Sequence, residues 1–231
     1  MNETFSHPPT SKFSYSCIKP GNRSQKSGWV CRTFKSREKF FMKHMWKSLI
    51  QPHIDYCSQL YMPINQVEMG RLENLFRNFS RKIPELRGLD YWARLQNLRV
   101  YSQERRLERY RIIYVWKILR GIVPNCGLEF TGKDTRRGIE VMIPNLNKKS
   151  IREQSFQVHG GKLFNSIPKN LRNMAENNVD EFKEKLDLFL QSIPDEPKVE
   201  GYVPSACDDL TAKPSNSIIF QCKQKMRNRG C

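Results

Sequence analysis

The adjacent aspartates Asp208-Asp209 are the one such pair in this chain. A template-directed polymerase uses paired carboxylates to hold two metal ions over the attacking and leaving oxygens of a phosphoryl transfer. The surroundings argue against that use here. SACDDLTA has no aromatic residue two positions before the pair, no flanking strand pattern and prolines nearby, whereas metal-binding carboxylates need a rigid supporting shell. The pair reads as a solvated acidic turn. PDEPK at 194–198 has the residue types of a metal-dependent nuclease, but such sites take their carboxylates and lysine from separate adjacent strands. Here they are contiguous and broken by Pro197.

His53 and Cys57 lie four apart, a spacing that offers two zinc ligands on one helix face, with His44 one segment earlier. Two ligands do not make a site, and burial by packing is the ordinary fate of such residues. His159 precedes Gly160-Gly161, which reads as a local turn with no nucleophile near it. No metal, cofactor, small-molecule substrate or catalytic group is expected.

What remains is a run of cations interleaved with aromatics: Arg32, Phe34, Lys35, Arg37, Lys39, Lys43, Trp46 and Lys47, then Arg71, Arg77, Arg81 and Lys82. Lys and Arg neutralise phosphates and release counterions. The aromatics share stripes with Leu and Ile, so they read as core anchors rather than base-stacking platforms. The charge is concentrated. Net charge is +17 over 231 residues, yet residues 23–120 carry 21 Lys and Arg against 8 Asp and Glu, and residues 121–231 carry 17 against 14. A field of that sign favours polyanions, nucleic acid first and anionic membrane second, while the competing reading is a set of solvated helix faces.

The elements that must position these cations are mostly helices. Ser36 is a candidate N-cap for REKFFMKHMWKSLI, with Phe40, Met45 or Trp46, and Leu49 or Ile50 at helical spacing, until Pro52 breaks or kinks the helix. HIDYCSQLY continues as helix to Pro63. A third helix, capped by Asn65, sets Leu72, Leu75, Phe76, Phe79 and Ile83 on one stripe. Asp90 caps a short helix, and Ser102 starts a longer one that Gly121 and Pro124 end; its second half, from Ile112 to Leu119, is apolar on most sides and reads as the centre of the core. A small hairpin is expected at 128–143, then helices at 155–165 and 179–192, the last with Phe182, Leu186, Phe189 and Leu190 on one face. Residues 1–28 have no period.

No stretch of about 18 apolar residues occurs, and the first residues lack a basic start followed by an apolar run. Seven irregularly spaced cysteines read as reduced thiols of an intracellular protein, nuclear or cytoplasmic. Hydrophobic content of 38% is low for a globular chain, so part of it is expected to be disordered or to meet a partner.

Several ordered blocks carry a family resemblance. SGWVCRTFKSR (27–37), WKSLIQPHIDYCSQLY (46–61), RLENLFRNFSRKIPELRGLDYWARLQNL (71–98) and RRLERYRIIYVWKILRG (105–121) resemble the region after the palm in reverse transcriptases of jockey-like non-LTR retrotransposons. LFNSIPKNL (163–171), FKEKLDLFLQSIPDEP (182–197) and SNSI (215–218) resemble the C-terminal region of the same proteins. At 163–167 this chain has Leu-Phe-Asn-Ser-Ile where the family more often has Leu-Trp-Asn-Ser-Leu, which keeps an aromatic.

The resemblance implies a mainly α protein: a helical thumb-like bundle with a small hairpin, C-terminal helices and disordered ends. The expected divisions are an arm at 1–22, a basic thumb-like region at 23–124, a small α+β region at 125–193 and a tail at 194–231. In such enzymes the thumb holds the template–primer duplex against the palm, which has no counterpart here. RNA or an RNA/DNA duplex is therefore the expected partner, gripped without reading bases and without catalysis. The alternatives are a polymerase part that needs a palm domain from another chain or exon, and a nonfunctional relic.

Overall fold

The computed structural model describes residues 20–56, 58, 66–132, 138–144, 155–174, 178–193, 195 and 218. The fold is mainly helical, and no helix among these residues is long and apolar enough to cross a membrane. The first helix, α1 (Pro20–Thr33), begins where no period is visible. Proline is tolerated there because a first-turn N–H has no intrahelical partner. Val30 is fully buried, and Trp29 meets Phe34 edge to face at 6.1 Å, so tertiary contact holds this helix. The expected arm thus lies outside the described residues up to position 19 and is helical beyond it.

The next helix starts after Glu38, not Ser36, as α2 (Lys39–Met45). It runs through a π turn (Trp46–Ile50) into α3 (Gln51–Asp55). Pro52 explains the π turn: it has no N–H to give the Ser48 carbonyl, and the helix widens so that the Gln51 N–H reaches the Trp46 carbonyl. The buried positions consequently fall every fourth residue, at Met42, Trp46, Ile50 and Ile54. Phe40, expected on this stripe, is 71% exposed. The helix expected to continue to Pro63 ends at Asp55; Cys57 and residues 59–65 lie outside the described residues.

The expected stripe of α4 (Gln66–Ser80) forms as anticipated, with Leu72, Leu75, Phe76 and Phe79 buried and Ile83 just beyond. The Asp90 carboxylate accepts the Trp92 N–H at the start of α5 (Tyr91–Leu98), and the Ser102 hydroxyl accepts the Arg105 N–H at the start of α6 (Gln103–Leu119). Gly121, at φ 68°, closes α6, its left-handed backbone letting the Ile122 N–H return to the Lys117 carbonyl.

Of the hairpin expected at 128–143, the described residues show one isolated antiparallel bridge, Phe130 to Val141, and no strand. The Asn165 side chain takes a partner's place, accepting the Val141 N–H (2.8 Å) and donating to its carbonyl (2.9 Å). A backbone satisfied by a side chain needs no second strand. Asn165 belongs to α7 (Gly161–Ser166), which follows a π turn (Phe156–Gly160); His159 therefore sits in a helix, not in a local turn. A Cβ on Gly161 would stand 2.9 Å from Val141, so the glycine permits that close approach. Two more helices complete the order, α8 (Lys169–Arg172) and α9 (Val179–Gln191). Asn178 caps α9, which buries Phe182, Leu186 and Leu190.

Two apolar cores meet on α6. Leu107 belongs to the first, built from α1 to α5, and Ile112 to the second, built from α6 to α9. Trp116 and Phe182 stack at 4.5 Å and 9° in the middle of the second. The charged first half of α6 lies between the cores and is largely internal. Arg105 donates to the Leu190 and Ile193 carbonyls (3.2 and 2.8 Å), Arg106 pairs with Asp55 (2.8 Å), Arg109 grips both oxygens of Asp187, and Arg111 donates to His159 Nδ1 (3.0 Å). Glu108, fully buried, accepts the Ile218 N–H at 2.7 Å. Glu73 on α4 accepts the Tyr91 hydroxyl and, at 2.9 Å, the Gln103 N–H.

Burial pushes the Glu73 carboxyl up to about 7 from 4.5, and burial beside Arg111 pushes His159 down to about 4 from 6.5. Their effects on stability have opposite signs. Native Glu73 keeps a proton that the unfolded chain releases, so its contribution is full below pH 4.5 and is lost as pH rises through 7. The unfolded chain protonates His159 where the native state does not, so that contribution is full above pH 6.5 and is lost as pH falls through 4. Each is worth up to roughly 3 kcal/mol. Between pH 4.5 and 6.5 the two nearly cancel. Urea midpoints for Glu73→Gln should therefore rise with pH across that window, and those for His159→Gln should fall. Profiles parallel to that of the unsubstituted protein would contradict both assignments.

Candidate nucleic-acid interface

The cations singled out in the sequence separate into three environments. Lys39, Lys43 and Lys47 follow one another at four-residue steps along α2 and its π turn, about 6 Å apart at the rise of a helix. Met42, Trp46 and Ile50 bury the adjoining face, so that Lys39 and Lys43 are half-buried at its border and Lys47 is exposed. Burial, followed in order by Lys47, Arg99 and Lys39, holds the Lys43 ammonium below its ordinary value. Arg99 thus joins the three lysines in one field. Among the described residues no ion pair engages any of the four side chains.

Arg99 was not expected in this group. It ends α5 with a left-handed backbone (φ 50°, ψ 57°), allowing the Val100 N–H to return to the Leu95 carbonyl. Glycine is the usual occupant of that position. The nearest signal in the sequence is an arginine just after an apolar helix, where a cation also suits the helix dipole.

A second group forms at the end of α4. Arg81 and Lys82 are exposed there, and Arg81 stands close enough to Arg94 to lower its affinity for a proton, after burial itself; Arg71 is exposed near the start of the same helix, apart from them. The Lys39 N–H donates to the Glu85 carboxylate at 3.1 Å, tying the start of α2 to the 3-10 turn at Pro84–Leu86 just after these residues. Arg32 and Lys35 are exposed at and beyond the end of α1.

Two expected contacts are employed inside the protein. Arg77 is buried, its guanidinium 4.7 Å from the centroid of the Tyr91 ring; Arg94 lies 5.6 Å from the same ring and donates to the Arg77 carbonyl at 3.2 Å. Arg37 donates to the Cys31, Phe34 and Ser36 carbonyls, closing the end of α1. Both act on the fold. Arg77 falls off the apolar stripe in a helical projection, yet it reaches the interior because an aromatic face receives it.

Among the described residues no three His, Cys, Asp or Glu side chains converge as metal ligands. His44 and His53 are exposed, and Asp208-Asp209 lies outside the described residues. A cleft of about 650 Å³ opens between the ends of α5 and α9, lined by Trp92, Leu95, Arg99, Tyr101, Asp187 and Leu190 among others. It carries no grouped nucleophile and base. No protein-family model, curated protein or solved structure matches this chain.

Proposed function

We propose that the chain is a noncatalytic nucleic-acid-binding remnant of a jockey-like retrotransposon reverse transcriptase, which grips RNA or an RNA/DNA duplex through phosphates without reading sequence. The observation that carries this reading is the row of Lys39, Lys43 and Lys47 along α2, with Arg99 at the end of α5 near Lys43, none of the four side chains engaged in an ion pair among the described residues. Unpaired cations at turn spacing suit a row of phosphates and offer nothing that discriminates bases. The ordered sequence blocks supply the link to the retroelement family and to its thumb.

Fluorescence anisotropy with labelled RNA and RNA/DNA hybrid, titrated in salt, tests the proposal. Engagement of three to five phosphates gives a slope of log K against log salt of about −2 to −5. The double variant Lys43→Ala/Lys47→Ala should flatten the slope by about 1.8 on a duplex. Binding that ignores salt, or no binding at low salt, rules the function out.

A further inference from the structure

Phe40 is the most exposed aromatic ring flanked by these cations, at 71%, and belongs to neither apolar core. The Lys39 ammonium stands 5.7 Å from its ring centroid. Half-buried Lys43 and exposed Lys47 follow along the helix, and His44 is exposed one turn beyond the ring. Leaving a benzyl group of this size in water forgoes the gain of burying it. The face opposite is fully used: Met42, Trp46 and Ile50 fill the first core and leave Phe40 no place in it.

A protruding ring beside a ladder of ammonium groups has the two components of a single-strand binding surface. The cations follow the phosphates, and the ring covers a base. A duplex can supply the phosphates but not the base, since its base faces are already stacked except at the ends. A hydrophobic protein partner would cover the ring but would meet Lys39, Lys43, Lys47 and Arg99 with an energetic penalty unless it were strongly acidic. Charge complementarity and the open π face are satisfied together by an unpaired strand.

We infer that Phe40, flanked by Lys39, Lys43 and Lys47, is a stacking site for an unpaired base of single-stranded RNA or DNA. This inference rests on the phosphate-binding reading and adds a preference to it: strand with accessible bases over strand without them. Phe40 packs against nothing that the fold needs, so its replacement leaves the helix intact.

The test compares the full-length protein's affinity for oligothymidylate with that for an oligomer of the same length and charge made of abasic units. The unsubstituted protein should prefer the strand with bases by about tenfold. Phe40→Ala should abolish that preference, and Phe40→Trp should restore or enlarge it. In contrast, Lys43→Ala/Lys47→Ala should weaken both oligomers alike. Equal binding of the two oligomers by the unsubstituted protein, or a preference that survives Phe40→Ala, overturns the stacking site while leaving phosphate binding standing. Failure of both oligomers to bind at low salt overturns the two readings together.

Discussion

Trp116→Ala is expected to lower the stability of the folded chain by about 3–5 kcal/mol, enough to unfold a protein whose total is on the order of 5–15 kcal/mol. The side chain is completely buried in the last turn of α6, stacked on Phe182, and belongs to the cluster that α6, α7 and α9 share. Removing it leaves a cavity that three helices would have to close. Its indole N–H has no hydrogen-bond partner among the described residues, and that sets the result for a second variant. Trp116→Phe gives up volume but also removes an unsatisfied buried donor, so its loss should be less than half that of the alanine variant. Chemical denaturation followed by circular dichroism measures both. Phe182→Ala combined with Trp116→Ala should cost less than the two separate losses added together, because either change alone already breaks the stack. An alanine variant that loses under about 1 kcal/mol would show that the stack does not organise the second core.

Arg105→Ala should be comparably damaging, by about 3–5 kcal/mol, through a different mechanism. This guanidinium is fully buried and donates to the Leu190 and Ile193 carbonyls, at the end of α9 where a helix has no N–H groups of its own left to offer. Asp195, 3.6 Å from Arg105 Nε, also accepts the Ser102 N–H and hydroxyl. Alanine takes a donor from the Ile193 carbonyl, leaves the Leu190 carbonyl with the Ile193 N–H alone and removes the cation beside Asp195, while opening a void. Arg105→Met restores much of the volume but none of the donors, so it should recover only part of the loss. Arg105→Lys should also fall short, since one ammonium cannot reproduce the fork that meets two carbonyls. Hydrogen exchange gives a local reading: the Ile193 amide, bonded to the Leu190 carbonyl, should lose protection in Arg105→Ala. If methionine matches arginine in stability, packing rather than charge holds α9 in place.

The parts of this fold that could be read from the sequence are those that depend on neighbours in the chain. Asp90 and Ser102 cap helices because a short polar side chain before an amphipathic run can reach the free N–H groups whatever else surrounds it. Gly121 closes α6 for an equally local reason, and the stripe from Leu72 to Phe79 needs only a regular helical period. Phe40 does not join the stripe because Met42, Trp46, Ile50 and Ile54 set the buried face, and at 100° per residue Phe40 lies about 200° from Met42, on the far side of the helix. The helix at Pro20–Thr33 was missed because its support comes from residues distant in sequence.

The candidate site was only half legible for a related reason. Lysines on a polar face could be found by composition, and Lys39, Lys43 and Lys47 do stand together. Composition could not tell these from arginines turned inward. Arg77, Arg105 and Arg111 look like surface charges until the aromatic ring, the helix end or the histidine that receives each one is brought near by folding. Arg99 was overlooked for the converse reason: it is remote in sequence from the lysines it joins.

Position 99 also bears on how such a chain would change over generations. A left-handed turn at the end of a helix favours glycine by about 1 kcal/mol over a residue bearing a Cβ, so thermodynamic stability alone would select against arginine there. A useful charge, such as the proposed phosphate contact would give, would offset that gradient. In lineages that had lost the need to hold a polyanion, substitution by glycine or asparagine would be both permitted and favoured, and position 99 would be among the first places where relaxed selection left a mark.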